Sequence, residues 1–312
     1  MKKNVKKRIE RDFVGSFKRF FSHRGRKTRS LVLLLLLLVA ALLYGGKKEW
    51  DWQSEQAQYA DRLQIHFIDV GQGDAALLRL PSGETMLIDC GPSDAEPALT
   101  HFLHAQRIRT IDFAVFTHPH EDHIGNAEAV LEACKVKNVL LPDIALDTPT
   151  YRAMKKAMDG EAGLSTHFAV SGQQYQLGEL SFTVLAPNSD FYEEENDTSI
   201  VLRIEYKETS FLFTGDAEAF SEREILAQYS SETLDCDLLK VGHHGSDTST
   251  SVPFLEAVTP DIAVISCERN NEYGHPHADV LTRLKQQGAV CLRTDELGNI
   301  LILSDGSSLI LP

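Results

Sequence analysis

Seven of the twelve histidines fall into three tight groups: His118, His120 and His123; His243 and His244; His275 and His277. The first group lies in THPHEDHIGN, where a spacing of two puts His118 and His120 on one side of an extended chain. Asp122 and His123 follow in the turn. Three imidazoles and the Asp122 carboxylate within six residues are the donors that zinc and related divalent ions favour. A second ion needs a bridging carboxylate and an outlying histidine. FLFTGDAE offers Asp216 and LLKVGHHGS offers His243, each where an apolar run enters a Gly-rich loop. Alone, Asp216 reads equally as a helix N-cap ahead of Ala217 and Glu218; beside the histidine groups it reads as a ligand.

Two divalent ions about 3.5 to 4 Å apart lower the pKa of a bridging water toward neutrality and so yield a hydroxide nucleophile. Asp122 and Asp216 are then the catalytic carboxylates, Asp122 orienting that water. The same ions polarise a scissile oxygen, which suits phosphodiesters, lactams, lactones and thioesters alike. His244, Ser246, His275 and His277 remain for substrate binding, although GHPHADVL also reads as an ordinary helix start at His277. Gly71, Gln72, Gly73 and Asp74 form a tight turn between two strands.

These residues need a scaffold of strands that end in loops. Apolar runs predict strands at 63–70, 75–80, 85–89, 111–117, 180–185, 200–206, 210–214, 237–241, 262–266, 290–293, 300–303 and 308–311. Helices are expected near 95–106, 125–133, 218–229 and 278–287. Two β-rich halves flanked by helices fit two packed sheets with outer helices.

The first 30 residues hold twelve Lys or Arg against Glu10 and Asp12, so the remainder carries a charge of −24. A body that acidic repels polyanions and predicts no broad nucleic-acid-binding surface. The run 31–44, LVLLLLLLVAALLY, seeks a membrane; Ser30, Gly45 and Gly46 lengthen it, and flanking Lys and Arg can snorkel. No A-x-A cleavage site follows it, so the expectation is an uncleaved signal anchor at 31–46. The domains are then a basic cytoplasmic tail at 1–30, the anchor, a linker at 47–61 and a hydrolase domain at 62–312 facing outward by the positive-inside rule. Cys90, Cys134, Cys236, Cys267 and Cys291 show no CxxC spacing and read as buried thiols.

In order, LIDCG, HxHxDH, a strand ending FTGD and a strand ending in GH resemble the metallo-β-lactamase superfamily over about Leu63 to Pro312. DVGQGDA, NDTSIVL, KVGHHGS and YGHPH are similar to the extracellular nuclease-like domain of the competence protein ComEC. The resemblance implies an α/β four-layer αββα sandwich after one transmembrane segment. It also implies one metal at His118 and His120, a second at Asp122, His123 and His243, and Asp216 bridging the two. By the same resemblance Asp89 orients a ligand from behind, and Asp74 lies near the metals. Most superfamily members place a histidine where this chain has Asn196, whose carbonyl suits Mn²⁺ better than Zn²⁺ and leaves the His118/His120 site the weaker. The function implied is a phosphodiesterase or nuclease acting on DNA or a cell-envelope polymer. The alternatives are an esterase for phosphorylcholine or teichoic-acid diesters, a lactonase or lactamase, and a metal-binding surface protein without turnover.

Overall fold

The computed structural model describes residues 34–42, 44–47, 49, 57–144 and 146–312. The expected basic tail, residues 31–33 and 43 of the anchor and most of the linker lie outside the described residues. Residues 34–42 and 44–47 are helical, and the leucines from Leu34 to Leu38 are exposed. Among the described residues no helix is long and apolar enough to cross a membrane.

Residues 61–312 form a separate compact unit. Its first sheet has eight strands, in spatial order Leu309–Ile310, Ile300–Ser304, Leu63–Phe67, Ala76–Arg79, Thr85–Ile88, Phe113–Val115, Asn138–Leu141 and Ser165–Phe168. The second has seven: Val290–Arg293, Ile262–Ile265, Leu238–Lys240, Thr209–Phe213, Val201–Tyr206, Leu180–Ala186 and Gln174–Leu177. Each sheet is antiparallel on one side and parallel on the other. The chain crosses once from the first sheet to the second and returns at its end, when Ser304 to Ile300 pair with Leu63 to Phe67.

The apolar core divides into three layers, which makes the order helix, sheet, sheet, helix. Between the sheets lie Phe67, Phe113, Phe182 and Phe213, with Phe67 stacked on Phe213 at 5.7 Å and Phe113 edge-on to Phe182 at 5.0 Å. Outside the first sheet, helices Glu96–Ala105, Ala127–Ala133 and Pro149–Gly160 bury Leu99, Phe102, Val130, Leu131, Met154 and Met158. Outside the second, helices Ala219–Gln228, Val252–Val258 and Ala278–Gln287 bury Ile225, Phe254, Leu255, Val280 and Leu284. Strands covered on both faces need no polar alternation, and Leu63–Phe67 is buried at all five positions. The single strand expected over 111–117 is broken at Asp112, whose Oδ2 accepts from the Thr85 backbone N–H at 2.9 Å.

Candidate metal centre

The clustered side chains come together at the carboxyl ends of the parallel strands of both sheets. Phe113–Val115 leads into His118 to His123, Thr209–Phe213 into Asp216, and Leu238–Lys240 into His243 and His244. Two contacts fix these loops, the first across the seam between the two sheets and the second within the loops of the second sheet. The Ile200 N–H donates to the Thr117 carbonyl at 2.9 Å, and the Asp216 N–H donates to Ser199 Oγ at 3.1 Å.

Asp122, His123, Asp216 and His244 place donor atoms within 4.8 Å of one another, a group able to hold a metal ion. His123 Nε2 is 3.2 Å from Asp216 Oδ1, and His244 Nε2 is 3.2 Å from Asp122 Oδ2 and 3.4 Å from Asp216 Oδ2. Donors on one tetrahedral zinc, with bonds of about 2.0 to 2.1 Å, lie about 3.3 Å apart. Beside this group His118 Nε2 faces His120 Nδ1 at 3.0 Å and stands 3.9 Å from Asp216 Oδ2.

Whether these residues suit a cation is decided by what they lack. His123 Nε2 and Asp216 Oδ1 are buried and make no hydrogen bond, although they face each other. Orphaned polar atoms inside a protein are costly unless something else pairs them. Charge points the same way. Burial works against ionising Asp216, yet His123 and His244 overcome it and hold its carboxyl well below the usual range. Burial likewise opposes charge on His123 and His244, and the surrounding carboxylates, Asp216 foremost, raise both well above an ordinary imidazole. Protons on these two rings thus balance the buried carboxylates, and a divalent ion can take their place. His118, by contrast, is held neutral by burial and by His123, so its lone pair is available.

Each ring is fixed from behind, which sets the nitrogen it presents. His123 Nδ1 donates to Asp89 Oδ2 at 2.8 Å, while Asp89 also accepts from the Thr117 N–H and hydroxyl, both at 2.7 Å. His120 Nε2 donates to Glu195 Oε2 at 2.8 Å. His244 Nδ1 lies 3.1 Å from the Ser266 carbonyl and 3.2 Å from Asp74 Oδ1. Asp74 in turn pairs with the buried Lys240 Nζ at 2.8 Å; burial opposes its ionisation, but Lys240 and His244 lower its carboxyl to about 2.

The family resemblance implies His243 with Asp122 and His123, and leaves His244 for substrate; in the structure it is His244 that groups with Asp122, His123 and Asp216. His243 and His244 are successive left-handed residues, with φ of 47° and 53°, and this tight turn sends His244 inward to Asp122. His243 lies instead beside Glu218, Asn196 and Thr248. The other expected substrate residues divide as well. His275 lines the cavity above the group, with Nδ1 3.4 Å from Gln72 Nε2. Ser246 and His277 do not line it: Ser246 Oγ pairs with Thr248 Oγ1 at 2.9 Å, and His277 Nδ1 accepts from the Asp247 N–H at 2.9 Å. Glu195, Glu218 and Lys240 escape the sequence pattern, although a lysine within the apolar run LLKV signals a buried partner.

The cavity measures about 790 Å³; Asp94, Glu121, Glu268 and Glu272 line it, and no Lys or Arg does. The five cysteines are free thiols, four of them buried.

The profile of the Metallo-beta-lactamase superfamily matches residues 68–269. ComE operon protein 3 of Bacillus subtilis is 34% identical over 254 residues, covering 76% of this chain and 32% of that protein. Competence protein ComA of Neisseria gonorrhoeae is 31% identical over 231 residues, covering 74% of this chain and 30% of that protein. The chain therefore spans about a third of the length of these relatives. Among solved structures, the metallo-beta-lactamase fold protein YhfI from Bacillus subtilis superposes with a TM-score of 0.53 at 12% identity, covering 78% of this chain and 100% of its own. That likeness concerns the fold.

Proposed function

Starting from the fact that this chain belongs to the metallo-beta-lactamase superfamily, we propose that it is a divalent-metal-dependent phosphodiesterase or nuclease. The observation that carries this reading is the convergence of Asp122, His123, Asp216 and His244 beneath a cavity lined by no Lys or Arg. His118 and His120 would hold one ion and Asp122, His123 and His244 the other, with Asp216 shared. Zn²⁺ or Mn²⁺ bound there would supply Lewis acidity toward a phosphoryl oxygen and would lower the pKa of water.

The residues of the chain do the rest. The Asp122 side chain is about one-third exposed (32%), its Oδ2 held by His244, and it faces the cavity where an attacking water must be oriented. Burial opposes its ionisation, but His123 and His244 keep its carboxyl below the usual range, so at neutral pH it is ionised and can accept a hydrogen bond from that water, orienting it. His275, lowered to about 4 by burial and by His243 and His244, is neutral near pH 7 and presents one N–H to a phosphoryl oxygen.

The competence-named relatives make DNA the first diester to examine. The acidic cavity wall favours a flexible single strand over duplex, and by the same charge it favours a second reading, an esterase for cell-envelope phosphorylcholine diesters, whose choline is cationic, whereas teichoic-acid diesters would meet the same repulsion as DNA. With Mn²⁺ or Zn²⁺ the purified chain should cleave bis(p-nitrophenyl) phosphate and single-stranded DNA. A chelator should stop it, and His120→Ala should slow it by at least about 100-fold. Hydrolysis of a lactone or lactam with no turnover of any diester overturns the proposal. We also place residues 31–46 as a membrane anchor with the hydrolase domain outside; release of the chain by alkaline carbonate would refute that placement.

A further inference from the structure

We propose that His243 supplies the third nitrogen to the His118/His120 ion and that Asn196 and Glu218 position it, so that the histidine missing before strand Val201–Tyr206 is replaced from the Gly-His-His-Gly turn. The inference rests on the two-ion reading above and concerns which side chains complete the first site.

Three observations support it. The first is the way His243 is held. At this seam His123, His120 and His244 each have one ring nitrogen tied by a carboxylate or carbonyl, and the other is left toward Asp122, Asp216 or His118. His243 follows the same rule: Nδ1 is 3.2 Å from Glu218 Oε1 and 3.2 Å from Thr248 Oγ1, while Nε2 has only the Asn196 amide nitrogen, at 3.5 Å, and the Asp216 carboxylate beside it. A ring fixed in this way is a prepared ligand, with its tautomer and orientation set beforehand.

The second observation is where Nε2 lies. His243 Nε2 stands 3.8 Å from Asp216 Oδ2, and His118 Nε2 stands 3.9 Å from the same oxygen. The two rings therefore keep the same distance from the carboxylate that both ions would share. The turn is pinned there, since the His243 N–H donates to the carbonyl of Gly215, the residue just before Asp216, at 3.1 Å.

The third is the part played by Asn196. Its Nδ2 donates to Glu218 Oε1 at 3.0 Å, the same oxygen that faces His243 Nδ1, while its own Oδ1 is buried without a partner. A histidine at 196 would itself be a ligand; the asparagine holds Glu218, and Glu218 holds the substitute. The two successive left-handed residues, His243 at φ 47° and ψ 48° and His244 at φ 53° and ψ 22°, let neighbouring side chains serve different places, His244 with Asp122 and His243 with Glu218. The first ion then has three imidazoles and a carboxylate, and the weak site expected from Asn196 alone does not arise.

The test is to load the full chain with Co²⁺, remove the excess, and measure bound cobalt by elemental analysis together with its visible absorption. His243→Asn is the variant of choice, because asparagine tolerates the left-handed conformation and is too short to reach. The wild type should retain two ions. His243→Asn should lose one or bind it at least about tenfold more weakly, with circular dichroism unchanged. His244→Asn should lose the other and leave a different residual spectrum. Adding Asn196→His to His243→Asn should restore the second ion, a rescue that a merely structural role for His243 does not give. Retention of both ions at wild-type affinity by His243→Asn, while His120→Ala loses one, overturns this inference and leaves the proposed function standing. A wild-type chain that takes up no cobalt, zinc or manganese overturns both.

Discussion

Each imidazole at the seam works through the group behind it, and those supports can be tested one at a time. Glu195 is half exposed and touches His120 Nε2 at 2.8 Å, so Glu195→Gln removes a charge from behind the ring without opening the core. Loss of such a partner costs about 10 to 100-fold in metal affinity. Chelator competition should show a drop at the low end of that range with the melting temperature unchanged; equal affinity would mean that His120 is oriented by packing alone. The ligand types in HPHEDH are legible from spacing, because their partners are neighbours in the chain. Glu195 is not, because its partner lies 75 positions away and EEEN reads as a solvated acidic stretch. Nor could the sequence choose between His243 and His244, since that choice is made by two backbone torsions. A histidine away from the site contributes to acid sensitivity. Burial, and then Arg79, lowers His66 to about 4 from an ordinary 6.5. The unfolded chain takes up that proton first, so the stability is fully present above pH 6.5 and is lost as pH falls toward 4, about 3 kcal/mol in all. Denaturant melts at pH 7 and 4.5 should show a smaller loss in His66→Phe than in the wild type; equal losses would refute the assignment.

At the scale of elements, the site is a set of loops that must approach closely. Gly73 shows the requirement. A Cβ there would sit 2.4 Å from the Asp122 carbonyl oxygen, and that same oxygen accepts from the Asp74 N–H at 3.1 Å. Gly215 is similar, since a Cβ would meet the Thr117 side chain at 2.9 Å. Gly73→Ala should therefore push apart the loops bearing Asp74 and Asp122, costing about 1 to 3 kcal/mol of stability and weakening metal binding together. A variant that melts and binds as the wild type does would show that the loops have slack. The sequence gives these loops away by their glycines and by the apolar strands that feed them. It is silent over 134–179, for identifiable reasons. Asn138–Leu141 is a short, fully paired parallel strand without alternation, and Ser165–Phe168 and Gln174–Leu177 close the sheets' edges with mostly polar residues. Helix Pro149–Gly160 carries its signal only in Thr148, whose hydroxyl accepts from the Tyr151 N–H, and in the proline that follows.

Taken whole, residues 61–312 hold 17 Lys or Arg against 40 Asp or Glu, a charge of −23 on the unit that contains the cavity. Proteins that grip nucleic acid through phosphates lose affinity as salt rises, because counterions are released on binding. Here the sign should be opposite. Bound divalent ions make the floor of the cavity locally attractive, but a polyanion must first cross a field of its own sign, carried in part by Asp94, Glu121, Glu268 and Glu272. That field is long-ranged in dilute buffer and is cut off beyond about 10 Å at 0.1 M salt. Repulsion scales with substrate charge, so a small diester bearing one negative charge feels little of it and a 20-nucleotide single strand feels much. The KM for the oligonucleotide should therefore fall as NaCl rises from about 20 to 200 mM, while the KM for bis(p-nitrophenyl) phosphate stays nearly constant. A KM for the oligonucleotide that climbs steeply with salt would reveal a cationic docking surface on the unit and refute the single-diester view of recognition.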